Sequence, residues 1–198
     1  MKSIELFLEK VKSYQAPMVC ESGFIEVGRF HPDKDGLLKG GWLHGIHAPI
    51  SNEKIKNMEK RIGKTFPNDL FMFYQHVNGL GLFCASIVIM GSLECKRQPV
   101  SIEYQNTIDL PLNKDGNPVS DFDHIYIGGY SKDGSCIKIN IDTGKVVREP
   151  RDKWGVVLNS WSSLVEFLEM EFNRMSDYYK KIDGEISMLD TIPPPDPD

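Results

Sequence analysis

The sequence is poor in the features that announce chemistry. Its cysteines, Cys20, Cys84, Cys95 and Cys136, are scattered instead of clustered. A chain of 198 residues buries enough surface to fold without disulfide staples. They read as reduced thiols, and the expected location is cytoplasmic. Long apolar runs are also missing. Glu5 and Glu9 interrupt the opening stretch that starts like a secretory leader, and nothing later reaches the roughly 18 apolar residues of a membrane span. Positive charge is short as well. Lys and Arg total 23 against 28 Asp and Glu, a formal charge of -5. A surface of that sign gains nothing from a phosphate backbone, so direct nucleic-acid binding is disfavoured. What is present, 40% hydrophobic, 10% aromatic and 26% charged residues, is the composition of an ordinary globular protein.

Catalytic and metal-binding patterns are equally thin. There is no G-x-S-x-G turn, and Gly129 to Gly134 lacks the lysine of a phosphate loop. His31, His44 and His47 suggest a metal, but no Cys pair or Glu at ligand spacing completes a tetrahedral set, so they read as polar side chains of a Gly-rich loop. Cys84 with His76 or His124 would make a nucleophile and base. Its setting in Leu82-Phe83-Cys84-Ala85 is that of a small core hydrophobe instead. Lys-Asp-Gly recurs at 34–36, 114–116 and 132–134. Asp33 and Asp35 before Gly36 look like a calcium loop, yet Trp42 stands where the bidentate Glu is needed, and all three read as turns. Glu59 and Asp69 read as solvated helix charges. No cofactor and no metal are expected, and no catalytic residue is assigned.

The periodicities are more informative. Ile4, Phe7, Leu8 and Val11 after Ser3 predict a short amphipathic helix over 3–14. Glycines and aromatics from 20 to 50 suggest short strands and turns. Ser51, Glu53 and the stripe Ile55, Met58, Ile62 ending at Gly63 predict a second helix. Pro67 opens a third, with Leu70, Phe73, Tyr74 and Val77 as its face and Asn78-Gly79 as its end. Strands are expected at 82–90, 100–104, 124–128, 136–141, 146–148 and 155–158, with a hairpin at Asp142-Thr143-Gly144. A last helix begins near Trp161, with Ser163 and Glu166 at capping-box spacing. Beyond Lys181 the carboxylates Asp183, Glu185, Asp190, Asp196 and Asp198 and the run Pro193-Pro194-Pro195 predict a polyproline-like, solvated tail.

The stretch Ile55-x3-Glu59-x2-Ile62-Gly63-x2-Phe66-Pro67-x-Asp69-Leu70-x2-Phe73-Tyr74-x3-Asn78-Gly79 resembles the opening signature of the SUKH superfamily. That group includes fungal Smi/Knr-like cell-wall synthesis regulators and many bacterial immunity proteins against polymorphic toxins. Phe122-x-His124-Ile125-Tyr126-Ile127-Gly128, with Ile137 to Ile141 and Gly144-x-Val146, looks like its strand block. Trp161-Ser162-Ser163-Leu164-x2-Phe167-Leu168 looks like its closing helix. The resemblance implies an α+β domain, a single mainly antiparallel sheet flanked by helices, used to bind another protein.

The expected plan is an extension over 1–50 packed on the main domain, a SUKH-like domain over 51–182 and an acidic tail over 183–198. The function that follows from the resemblance is non-catalytic: an immunity protein that occupies a toxin domain. A basic nuclease would suit the negative charge. A regulatory scaffold in cell-wall or signalling assemblies is the alternative. Trp42, Tyr130 and Trp154 lie in or beside expected loops and, with Asp133 in its turn, are the candidate partner-binding residues.

Overall fold

The structure is a computed structural model that describes residues 3–13, 18–19, 25–28, 43–92, 123–153, 155–181 and 192–197. The expected strand at 100–104, His31 and the Lys-Asp-Gly turns at 34–36 and 114–116 lie outside the described residues, as do Trp42 and Trp154.

Helix α1 spans Ile4–Lys12, and the Ser3 hydroxyl caps it by accepting from the Leu6 N–H at 3.3 Å. Helix α2 spans Asn52–Ile62, capped by Ser51 and closed by Gly63 in the left-handed conformation at φ 72°. Helix α3, Asn68–His76, starts directly after Pro67. Helix α4 spans Leu164–Lys181, three residues later than expected, because Trp161 belongs to the preceding strand. Ser163 caps α4 through the Glu166 N–H, while the Glu166 carboxylate reaches back to the Ser162 N–H at 2.6 Å.

The strands are β1 (Met18–Val19), β2 (Ile25–Gly28), β3 (Leu43–Ile46), β4 (Leu80–Leu82), β5 (Ile87–Ile89), β6 (His124–Tyr130), β7 (Cys136–Asn140), β8 (Val146–Glu149) and β9 (Asn159–Trp161). They form one open antiparallel sheet in chain order, an α+β architecture as expected. The segment before residue 50 enters this sheet directly, since β3 pairs with β4 through Gly45 opposite Gly81 and Ile46 opposite Leu80. Helix α1 packs on α3 and α4.

Two expected strands differ. The run 82–90 is a hairpin, with Phe83, Cys84 and Ala85 at φ 49°, 54° and 60°. Its apolar text, broken only by Ser86, hid the turn. The stretch 155–158 approaches β8 only at its end, through the Leu158 N–H on the Arg148 carbonyl, and pairing begins at Asn159.

Antiparallel register decides which side chains share a face. Ile125, Ile139, Val146 and Trp161 lie opposite one another in a row across β6 to β9. All join the same buried cluster as Phe7 and Leu8 of α1, Ile55 and Met58 of α2, Phe73 and Tyr74 of α3 and Phe167 and Phe172 of α4. Two polar signature residues act at joints. Glu59, expected as a solvated charge, is buried and accepts the Phe66 N–H at 2.7 Å, tying α2 to the link before α3. Asn78 accepts the Ser92 N–H at 2.7 Å and donates to the Ser92 carbonyl. A Cβ on the neighbouring Gly91 would sit 2.1 Å from the Asn78 carbonyl oxygen, so only glycine allows that approach.

Candidate partner-binding site

Row two of the core-facing side breaks the apolar pattern. Opposite Ile137 stands Arg148, and opposite Arg148 stands Asn159. Both are two residues along from core positions, Val146 and Trp161, so the β pleat aims them inward. Arg148 is only 4% exposed. A buried guanidinium is tolerated only if its donors are matched. Its Nε donates to the Ser135 Oγ at 2.9 Å, Nη2 to the Asp133 carboxylate at 2.7 Å and Nη1 to the Asn159 Oδ1 at 2.8 Å. The guanidinium carbon lies 5.3 Å from the centre of the Tyr130 ring, a cation–π arrangement.

Two candidate residues, Tyr130 and Asp133, therefore meet on a residue that sequence reading did not single out. Asp133 is the outer member, its side chain 38% exposed. Burial alone would raise its pKa, but the Ser135 N–H and hydroxyl and the Arg148 guanidinium outweigh that and hold it below the ordinary carboxylate range. Tyr130 is 2% exposed, so it backs Arg148 from inside. Burial and the nearby Glu171 carboxylate push its hydroxyl far above the ordinary range, so it stays protonated. Trp42 and Trp154 lie outside the described residues.

The tail completes this cluster. Arg148 Nη1 also donates to the Pro195 carbonyl at 2.6 Å, and Asn159 Nδ2 donates to the Asp196 carbonyl at 2.7 Å. At the other end the Ile192 N–H donates to Ser86 Oγ at 2.8 Å, and Ile192 is 0% exposed. Residues 192–197 thus cross the ends of β5, β8 and β9. The expected solvation holds for the side chains of Pro193, Asp196 and Pro197, but the segment is pinned by its backbone and by the enclosed Ile192. Composition showed their poor fit for a core but not the inward-facing donors that meet the Pro195 and Asp196 carbonyls.

Elsewhere, His44 is a β3 core residue and not part of a polar loop. It is wholly buried, its Nδ1 accepts the Phe83 N–H at 3.0 Å, and its ring meets Phe83 edge-on. Desolvation lowers its pKa to about 3, so it is neutral. Cys84 lies half-buried in the β4–β5 turn. Asp133 and Gly134 form the expected turn at 132–134, with Gly134 at φ 69°. Among the described residues, no three His, Cys, Asp or Glu gather as a metal set, and no helix is long and apolar enough to cross a membrane.

A second surface lies on the helices. Asp69 of α3 and Glu166, Glu169, Val165 and Met170 of α4 line an open groove of about 610 Å³. Met170 is 52% exposed there. Carboxylates around a flexible thioether can receive a basic surface carrying an apolar side chain.

Searches among curated proteins and among solved structures returned no match. Among protein families, residues 49–170 match the SMI1 / KNR4 family (SUKH-1). The match starts at residue 49, two residues before the expected domain boundary at 51, runs through the α2–α3 joint, the meander from β4 to β9 and the first turns of α4, and covers more than half the chain. The protein therefore belongs to the SMI1 / KNR4 family (SUKH-1), within the SUKH superfamily.

Proposed function

We propose that this protein is a non-catalytic binding module of the cytoplasm, an immunity protein that neutralises a toxin by forming a stable complex with it. The observation that carries the reading is the family match over 49–170. SUKH domains generally act through protein–protein complexes. Two features support it. Two buried ionisable groups are committed to architecture, Glu59 to the α2–α3 joint and Lys138 to Glu149. The net charge of -5 and the acidic α3–α4 groove suit a basic partner such as a nuclease domain. Asp133 is the reachable member of the candidate contact set, with Tyr130 holding Arg148 behind it. Trp42 and Trp154 remain proposed contacts, and residues 1–50 and 183–198 are proposed as additions to the family domain.

A complex of this kind buries at least about 1,200 Å² in total. The test is co-expression with the toxin domains encoded beside its gene. Protection of the cell, and co-purification of one toxin with this protein, are expected. If none of those domains is bound or neutralised, the reading fails. A second reading, a regulatory scaffold in cell-wall or signalling assemblies, draws on the docked tail. Deleting 184–198 separates the two, because an immunity complex built on the folded domain survives the deletion and a tail-mediated assembly does not.

A further inference from the structure

The tail segment is unusual in what it offers. Of residues 192–197, only Ile192 and Asp196 carry a backbone N–H, because the others are proline. Such a segment presents carbonyl oxygens and almost no donors, and it prefers an extended polyproline conformation at little entropic cost. The surface beneath it has the complementary chemistry. It gives donors to the Pro195 and Asp196 carbonyls, from Arg148 and Asn159, and an acceptor, Ser86 Oγ, at the Ile192 N–H.

The donors are positioned without the tail. Arg148 is held by Ser135, Asp133, Asn159 and the Tyr130 ring, all belonging to the sheet and its turns. Its spare N–H therefore stays aimed at the same point when the tail leaves. Among residues 192–197, only the Ile192 side chain is fully enclosed, whereas Pro193, Asp196 and Pro197 are exposed. Recognition thus runs through backbone carbonyls and one apolar plug, a pattern that any peptide of the same type can reproduce.

We propose that this cleft is a receptor groove for extended proline-rich peptides of the type apolar–Pro–Pro–Pro–acidic on a partner protein, and that the chain's own terminus is its resident, displaceable occupant. Residues 182–191 tether that occupant to α4. Occupant and groove belong to one chain, and a covalent link of this length gives an effective concentration on the order of millimolar, so a partner peptide competes with the tail instead of finding an empty groove. The groove borders the candidate contact set of the toxin complex proposed above through Arg148 and Asp133, but its test reads peptide binding alone, so either assignment can fail alone.

The experiment uses the full chain and a fluorescent peptide with the sequence of residues 189–198. Ile192→Asp expels the plug from its apolar socket. The expected result is peptide binding at least about ten-fold tighter to this variant than to the parent, lost again when Arg148→Met is added. Equal binding to variant and parent, or binding indifferent to Arg148→Met, overturns the proposal. If Ile192→Asp does not fold, the parent chain is titrated with unlabelled peptide to about 10 mM, above the effective concentration of the tether. The Ile192 amide resonance moves from its docked to its released position if the groove exchanges occupants. An unmoved resonance overturns it. A peptide with alanine in place of the prolines, which brings unmatched N–H donors, binds at least several-fold more weakly, and equal binding would refute the preference for proline.

Discussion

The β7–β8 hairpin carries two buried cations, one on each face, and their pairs with carboxylates are built to opposite ends. On the face away from the helices, Lys138 is 0% exposed and donates to Glu149 at 2.6 Å, and the Gly155 N–H completes the same carboxylate at 3.1 Å. Every member belongs to the hairpin or the loop that follows it. On the helix-facing side, Arg148 pairs with a carboxylate that reaches solvent and gives a remaining donor to a segment 47 residues away in sequence. A sealed pair serves the fold, because opening it strands a charge in a dry place. A pair with one detachable partner serves recognition, because part of it can leave while the rest keeps its geometry.

The largest effect should come from breaking the sealed pair. Lys138→Met leaves Glu149 buried without its cation and is expected to destabilise by about 3–5 kcal/mol, read from denaturant unfolding. Adding Glu149→Leu should restore most of that loss, since an apolar pair of similar volume needs no desolvation. A small effect of the single change would place Lys138 in water and erase the contrast.

The acid limb of stability needs its core background removed before the open pair can be seen. His44, ordinary pKa 6.5, has a folded value of about 3. A depressed value means that the unfolded chain takes up the proton first. Stability is therefore full above about pH 6.5 and falls as pH drops toward 3, by about 2–3 kcal/mol between pH 6.5 and 4.5. His44→Gln, which keeps an acceptor for the Phe83 N–H, should flatten that slope in urea titrations. An unchanged slope would mean that His44 is not the titrating group.

Ile192→Ala tests detachability. In an ordinary core, Ile→Ala costs about 2–5 kcal/mol. A terminal segment that lets go locally limits the loss to its own docking free energy, so global unfolding should shift by less than about 1 kcal/mol. A full core-sized loss would make the tail part of the folding unit. Smallest of all, Asp133→Asn removes a partly exposed ion pair worth roughly 0.2–1 kcal/mol. The Asp133 pKa is depressed, so its contribution is present above about pH 4 and fades as pH falls through the folded value. The difference between Asp133→Asn and the parent should vanish in strong acid.

The helical half of the molecule was open to sequence reading because its signals are local. Ser51, Gly63, Pro67 and Ser163 each act within a few residues of themselves, and each sits at or beside the helix boundary it marks. The hairpin at Asp142-Thr143-Gly144 was equally plain, and Asn140 Oδ1 pins it through the Asp142 and Thr143 N–H groups. The site was only half legible. Tyr130 and Asp133 were singled out for turn position and aromatic character, but Arg148, which joins them, looked like the polar end of a strand. One signal was available: counting outward from that hairpin puts Arg148 opposite Ile137, an inward position where an arginine needs partners. The Ser86 and Asn159 contacts to the tail span 106 and 37 residues, and no local pattern encodes such distances.

The most direct test of the contrast is native-state amide exchange by NMR, comparing the N–H groups of Ile139 and Ile192 in the full chain. Ile139 lies in the central hairpin and should exchange only through global unfolding, whereas Ile192, though buried and bonded to Ser86, should exchange through a much cheaper local release. Equal opening free energies for the two amides would show that the tail is an integral part of the core and would contradict the account.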